Sequence, residues 1–293
     1  MGRSRTQDPQ FKVAFAPTVV YVFRMPSSVF YSCALITGAS SGLGEEFALQ
    51  LAPQVGRLVL VARRQLQMEE LAVRILAEFP EIDILVFVGN LTISADRVRL
   101  SETLAARGWA PDLLVNNAGL GDYGEFASAE WSKIESMLRV NMEALTHLTH
   151  LFIPSMISNS SGAVLNVSSL ASLMPIPDLA VYAATKAYVT SFSEALRIEL
   201  RGHGINVLAV CPGPVHTGFG AAAQRSASAA KIPGRECFYV PKEQVVEESL
   251  AALWRKRARV YPGLRTAAVA VLISAAPIVL LRCLMSFRPR KAE

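Results

Sequence analysis

Seven short, nearly continuous apolar runs mark this chain, at 31–37, 57–62, 82–88, 112–115, 162–167, 205–210 and 258–261. Runs of that length without strict polar alternation, such as Leu58-Val59-Leu60-Val61, predict strands buried on both faces. Between them, apolar residues recur at helical spacing over 43–53, 65–78, 94–108, 130–157, 178–201 and 241–256. Strands alternating with helices predict an α/β fold, a Rossmann-type doubly wound parallel sheet of about seven strands with helices on both faces. Ligands bind such sheets at the C-terminal ends of the strands. The stretch 217–240, with Gly, Ala, Ser and Pro and weak periodicity, reads as a mobile segment rather than a core element.

The pattern divides the chain into an N-terminal extension (1–28), a catalytic domain (29–263) and an apolar then basic C-terminal segment (264–293). In the extension, Arg3 and Arg5 precede an apolar stretch broken by Pro17, too short to span a bilayer and without a convincing cleavage site. Met25 is an alternative translation start. At the other end, Thr266 to Leu281 is uncharged for sixteen residues, flanked by Arg265 and by Arg282, Arg288, Arg290 and Lys291. That is just short of a spanning helix, and Pro277 is expected to kink it. Three placements stay open: an anionic membrane surface, the substrate mouth, or a subunit interface.

Composition adds limits rather than a function. An apolar fraction of 52% and a charged fraction of 18% leave ample material for a large core. The net charge of +5 comes without a basic stripe interleaved with aromatics, so no nucleic-acid partner is expected. Cys33, Cys211, Cys237 and Cys283 lack metal-ligand spacing and read as reduced thiols of an intracellular protein. His147 and His150 lie three apart on one predicted helix, but no carboxylate completes a metal site with them. Metal-independent chemistry is expected.

Two local patterns carry that chemistry. Tyr182 and Lys186 are four residues apart, one turn apart on a helix face. A phenol ionises near pH 10, but a neighbouring ammonium favours the phenolate and suits it to moving one proton at neutral pH. Near the start, the run Cys33–Thr37 leads into Gly38, Gly42 and Gly44 and then an apolar helix. Strand, glycine turn and helix in that order set a helix N-terminus against a dinucleotide pyrophosphate.

Together these residues resemble the short-chain dehydrogenase/reductase family. Its cofactor motif stands here as Thr37-Gly38-Ala39-Ser40-Ser41-Gly42-Leu43-Gly44, and its Asn-Asn-Ala-Gly element as Asn116-Asn117-Ala118-Gly119. The active-site pair is Tyr182 and Lys186, with Ser169 thirteen residues before the tyrosine and Asn141 as the tetrad asparagine. The Pro-Gly element after the sixth strand is Pro212-Gly213-Pro214-Val215-His216-Thr217. The resemblance implies that Tyr182 is the acid/base, Ser169 polarises a substrate carbonyl, Lys186 also holds the nicotinamide ribose, and Asn141 orients a water. Ser168 is the alternative to Ser169, as a plain strand-end serine. The resemblance further implies that 217–240 covers the substrate.

After the second strand, NAD-selective relatives usually carry a carboxylate for the ribose hydroxyls. This chain has Arg63 and Arg64 instead, and guanidinium groups bind phosphate through paired charged hydrogen bonds. NADP(H) is therefore the expected cofactor, with Arg63 in direct phosphate contact and Arg64 supporting it. After the third strand, Asn90 replaces the usual aspartate before Leu91, leaving its carbonyl oxygen to accept from an adenine amino group. The sequence favours an NADP(H)-dependent oxidoreductase interconverting carbonyl and alcohol on an apolar small molecule. It is expected to be a homo-oligomer in the cytoplasm, with the membrane contact above as an alternative placement. The other functional reading is a sensor or scaffold that binds NADP(H) without significant turnover.

Overall fold

A computed structural model of the chain describes residues 30–225 and 239–286. The extension at 1–28, much of 217–240, Cys237 and the basic residues Arg288, Arg290 and Lys291 lie outside the described residues.

The seven apolar runs form β1 (Tyr31–Thr37), β2 (Val55–Ala62), β3 (Asp83–Val88), β4 (Leu113–Asn116), β5 (Gly162–Val167), β6 (Ile205–Val210) and β7 (Arg259–Val260). They build one parallel sheet in the order β3-β2-β1-β4-β5-β6-β7, each strand within two residues of its predicted ends. Alternate residues of each strand point to opposite faces. Leu58 and Leu60 face the core shared with α1 (Gly42–Leu51), α2 (Gln65–Glu78) and α8 (Lys242–Trp254). Val59 and Val61 face the opposite core, shared with α3 (Ser94–Ala106), α5 (Leu145–Ser158) and α6 (Ala180–Leu200). That double coverage is why the strands read as continuous apolar runs. The strand order reverses at β1, which pairs with both β2 and β4 and so opens a crevice at its C-terminal end.

Three departures from the sequence reading matter. The helix expected over 130–157 is α4 (Trp131–Leu138), a π-turn (Arg139–Ala144) and then α5. The stretch 217–240, read as a mobile segment rather than a core element, starts with a helix, α7 (Phe219–Ala223), fastened at its end by an Arg225–Asp122 ion pair. Its weak periodicity hid the helix because long-range contacts hold it in place. Finally, Pro277 breaks the C-terminal segment rather than kinking it. Ala276 is extended (φ −75°, ψ 134°), as a residue before proline tends to be, separating α9 (Leu264–Ala275) from α10 (Ile278–Ser286). Among the described residues no helix is long and apolar enough to cross a membrane.

Candidate active site

The residues assigned to cofactor and substrate lie beyond the C-terminal ends of the strands, on the loops after β1 to β6, in the π-turn and on α6. Gly38, Ser40, Ser41, Gly42, Leu43 and Gly44 form the β1–α1 turn, and two of the glycines are irreplaceable on steric grounds. A Cβ on Gly44 would lie 2.2 Å from the Gly38 carbonyl oxygen. Gly38 has φ +68°, and a Cβ there would lie 2.9 Å from the Ala118 Cα. Ser41 precedes α1 without its side chain capping the helix, so the first-turn N–H groups keep their capacity for an anion. This cradle fits a pyrophosphate.

Thr37 and Asn117 lock the turn to β4. The Thr37 hydroxyl accepts from the backbone N–H of Asn117 and of Ala118, each at 3.0 Å, while Asn117 Nδ2 donates to the Thr37 carbonyl oxygen at 2.9 Å. Across the crevice, a Cβ on Gly42 would meet Thr217 Cγ2 at 3.3 Å, so the Pro212-Gly213 loop with Val215 closes against the glycine turn.

Beyond β2, Arg64 turns back over the glycine loop. Its Nη2 donates to Ser40 Oγ at 3.0 Å and to Ser41 Oγ at 2.6 Å, and Arg63 beside it is exposed. The edge of the cradle thus carries two guanidinium groups and two hydroxyls. Asn90 after β3 is engaged differently from the sequence reading: its Oδ1 accepts from Thr92 N at 3.2 Å and from Thr92 Oγ1 at 3.0 Å. The oxygen assigned to adenine shapes its own turn, and the adjacent Leu91 side chain is buried.

The residues to which the sequence assigned proton handling converge from β5, the π-turn and α6. Ser168 is buried, bonded to the Lys186 carbonyl oxygen at 2.8 Å and to Thr190 Oγ1 at 2.7 Å, so it ties β5 to α6. Ser169, half-exposed, starts the 3₁₀ turn Leu170–Leu173, and its Oγ accepts from Ala171 N at 3.1 Å, leaving its proton to donate. Lys186 is buried, donates to the Val167 carbonyl oxygen at 2.8 Å, and has its Nζ 5.8 Å from the Tyr182 ring centre. Burial lowers the Lys186 pKa to about 8, against a small opposing influence of Cys211.

Asn141 lies within the π-turn, a deformation that recurs at functional sites. Its Oδ1 accepts from Leu120 N at 2.8 Å, and its Nδ2 donates to the Leu120 carbonyl oxygen at 2.9 Å and to Thr185 Oγ1 at 3.0 Å. One amide therefore holds the loop after β4 to α6. Gly119 lets that loop approach, since a Cβ there would be 3.5 Å from both Asn141 Oδ1 and Lys186 Nζ.

This combination of glycine cradle, Asn117 clamp, Ser169, Tyr182 and buried Lys186 accompanies a match of residues 32–227 to the short chain dehydrogenase family. The chain belongs to the short-chain dehydrogenase/reductase family. It is 33% identical over 213 residues to a very-long-chain 3-oxoacyl-CoA reductase of Phaeosphaeria nodorum, covering 67% of this chain and 62% of that one. A ketoacyl reductase, HetN, of Nostoc is 33% identical over 201 residues, covering 68% and 69% of the two chains. Among solved structures, a short-chain dehydrogenase from Sphingobium yanoikuyae in complex with NADPH superposes with TM-score 0.72 at 30% identity, covering 89% of this chain and 98% of that one. A bulky-bulky ketone specific alcohol dehydrogenase from Comamonas testosteroni gives TM-score 0.69 at 28% identity, with 89% and 96% covered. The family is one of NAD(P)-dependent oxidoreductases, which accounts for the cradle and the Tyr182–Lys186 pair together.

Two features of this short-chain dehydrogenase were not read from sequence. A buried polar chain, Asn116 to Asn166 at 2.9 Å and Asn166 to Ser193 at 2.9 Å, runs from β4 through β5 to α6 below the site. Phe219 of α7 lies against Tyr182, ring centres 5.8 Å apart, and also packs where a Cβ on Gly121 would stand. The aromatic at 219 was the available signal. His147, considered for a metal, instead accepts from Arg97 Nε at 3.1 Å.

Proposed function

We propose that this short-chain dehydrogenase is an NADP(H)-dependent oxidoreductase that interconverts a carbonyl and an alcohol on an apolar small molecule. The observation that carries the cofactor choice is Arg64 clasping Ser40 and Ser41 beside Arg63, with no carboxylate at the end of β2. An acidic group there would repel a 2′-phosphate, whereas guanidinium forks match one. The NADPH bound to the Sphingobium relative supports the same reading. Apolar substrates are supported by the bulky-ketone and very-long-chain acyl names of relatives and by Phe219 beside Tyr182.

Bound NADP(H) would supply a hydride to the carbonyl carbon in reduction and accept one in oxidation. As negative charge develops on the carbonyl oxygen, Ser169 Oγ donates a hydrogen bond to it. Tyr182 then transfers its phenolic proton to that oxygen, giving the alcohol, and takes it back in the reverse direction. Lys186 supplies the nearby positive charge that favours the phenolate. Asn141 keeps α6 and the loop after β4 in register, so Lys186 and Gly119 stay opposed. Titration of the purified protein with NADPH and NADH, followed by a turnover screen on ketones, aldehydes, sterols and fatty acyl carbonyls, tests the proposal. Tighter NADPH binding with NADPH oxidation on an apolar carbonyl is expected; preference for NADH, or binding without turnover, would overturn it.

A further inference from the structure

The outward face of α9 is apolar where a surface helix should be polar. Thr266 and Ala270 are buried, and the helix packs on the turn Leu170–Leu173 that follows Ser169. The opposite face carries Leu264 (91% exposed), Ala268, Val271 (67%), Leu272 (70%) and Ala275. With 3.6 residues per turn, these five positions gather within about 100° of one another on the helix wheel. Past the Ala276-Pro277 break, α10 continues the apolar surface with Ile278, Val279 (70% exposed) and Leu280. Exposed apolar area of this kind on a soluble domain marks a surface that meets something.

Charge says what it meets. From Leu264 to the C-terminus the chain has five Lys and Arg side chains and a single carboxylate side chain, Glu293. Arg265 and Arg282 flank the apolar face and are exposed, and Arg288, Arg290 and Lys291 follow α10 in the chain. A second copy docked face to face would bring those cations against their own equivalents, a like-charge cost without compensation. An anionic lipid surface accepts both the apolar side chains and the cations. With the segment broken at Pro277 into two short helices, it suits lying on a bilayer rather than crossing it.

We infer that α9 and α10 form an interfacial anchor that seats this protein on anionic membranes. The anchor rests on the Leu170–Leu173 turn, so an apolar substrate dissolved in the bilayer would be delivered close to Ser169. The inference stands apart from the cofactor proposal, because lipid binding is read without catalysis.

The test uses the full chain, the double variant Leu272→Glu/Val279→Glu, and vesicles of phosphatidylcholine with or without phosphatidylserine. Wild type should sediment with phosphatidylserine vesicles, more weakly as salt rises, and hardly at all with pure phosphatidylcholine. The double variant should lose more than about tenfold in partition, since two apolar side chains that would enter the bilayer become charges. Its thermal midpoint and NADPH affinity should match wild type, as both positions are largely exposed. Wild type that ignores anionic vesicles overturns the inference. If the variant then changes oligomeric mass in light scattering, the face belongs to a second copy; if its melting temperature falls instead, another part of the chain covers it.

Discussion

Lys186 Nζ donates to the Val167 carbonyl oxygen at 2.8 Å, which pins the face of α6 that carries Tyr182 and Lys186 to the end of β5 while keeping a cation away from water. Burial holds its pKa near 8 instead of its ordinary 10.5. Between those values the unfolded chain binds more protons than the folded one, so stability contributed by this group rises with pH through that window. Below about 8 the folded chain bears the full desolvation cost of the ammonium. Urea unfolding of wild type and Lys186→Met at steps from pH 7 to 10.5 should show the variant gaining most at the acid end, with the difference shifting toward wild type as pH climbs. A difference independent of pH would mean that Lys186 is not desolvated.

Tyr182→Phe removes only the hydroxyl proposed to exchange a proton with substrate. Turnover should fall on the order of a hundredfold or more, with NADPH affinity nearly unchanged. Stopped-flow reduction rates beside a cofactor titration separate the two; activity within a few fold of wild type would remove Tyr182 from the acid/base role.

Cofactor choice is tested by replacing each arginine singly. Arg64→Ala should cost about 1.5–3 kcal/mol of NADPH affinity, the range for charged hydrogen bonds, and leave NADH binding almost unaltered. Arg63→Ala should act in the same direction. Calorimetric titrations of both variants rank the contacts, and an equal loss for NADPH and NADH would remove the 2′-phosphate from the account.

Gly44→Ala forces a methyl group to 2.2 Å from the Gly38 carbonyl oxygen, a clash with backbone that no rotamer relieves. The expected loss is about 1–3 kcal/mol of stability or more, with the glycine cradle distorted as well. A variant with unchanged melting temperature and cofactor affinity would contradict the close packing of α1 on β1.

Phe219→Ala should raise KM for an apolar ketone by about tenfold, the value of one aromatic contact, while kcat stays within about threefold. Steady-state kinetics distinguish this from a fall in kcat alone, the result expected if Phe219 instead holds Tyr182 in its reactive orientation.

Much of this molecule was legible in the sequence, because its decisive features are local. The glycine turn, the Asn117–Gly119 element and the Tyr182/Lys186 pair are short spacings whose geometry follows from one strand end or one helical turn. Strands buried on both faces announce themselves as apolar runs. What stayed hidden depends on residues far apart in the chain. Helix α7 is five residues long, and Arg225, which closes it, finds Asp122 103 residues earlier. The engagement of Asn90 with Thr92 is local but competes with a ligand role that spacing alone cannot weigh. Which arginine bends over Ser40 is set by the backbone at Arg64 (φ −92°, ψ 98°), a turn geometry without a sequence marker.

The π-turn at Arg139–Ala144 has a consequence for how this protein can change over time. A wider turn accommodates one residue more than a regular helix would need, and here that surplus places Asn141 between Leu120 and Thr185. The segment is therefore constrained in length as much as in identity. Deleting a single residue would let the helix relax to its regular form, a local gain, and would swing the amide away from both partners. Substitutions around it can be absorbed one at a time; a shift in register cannot.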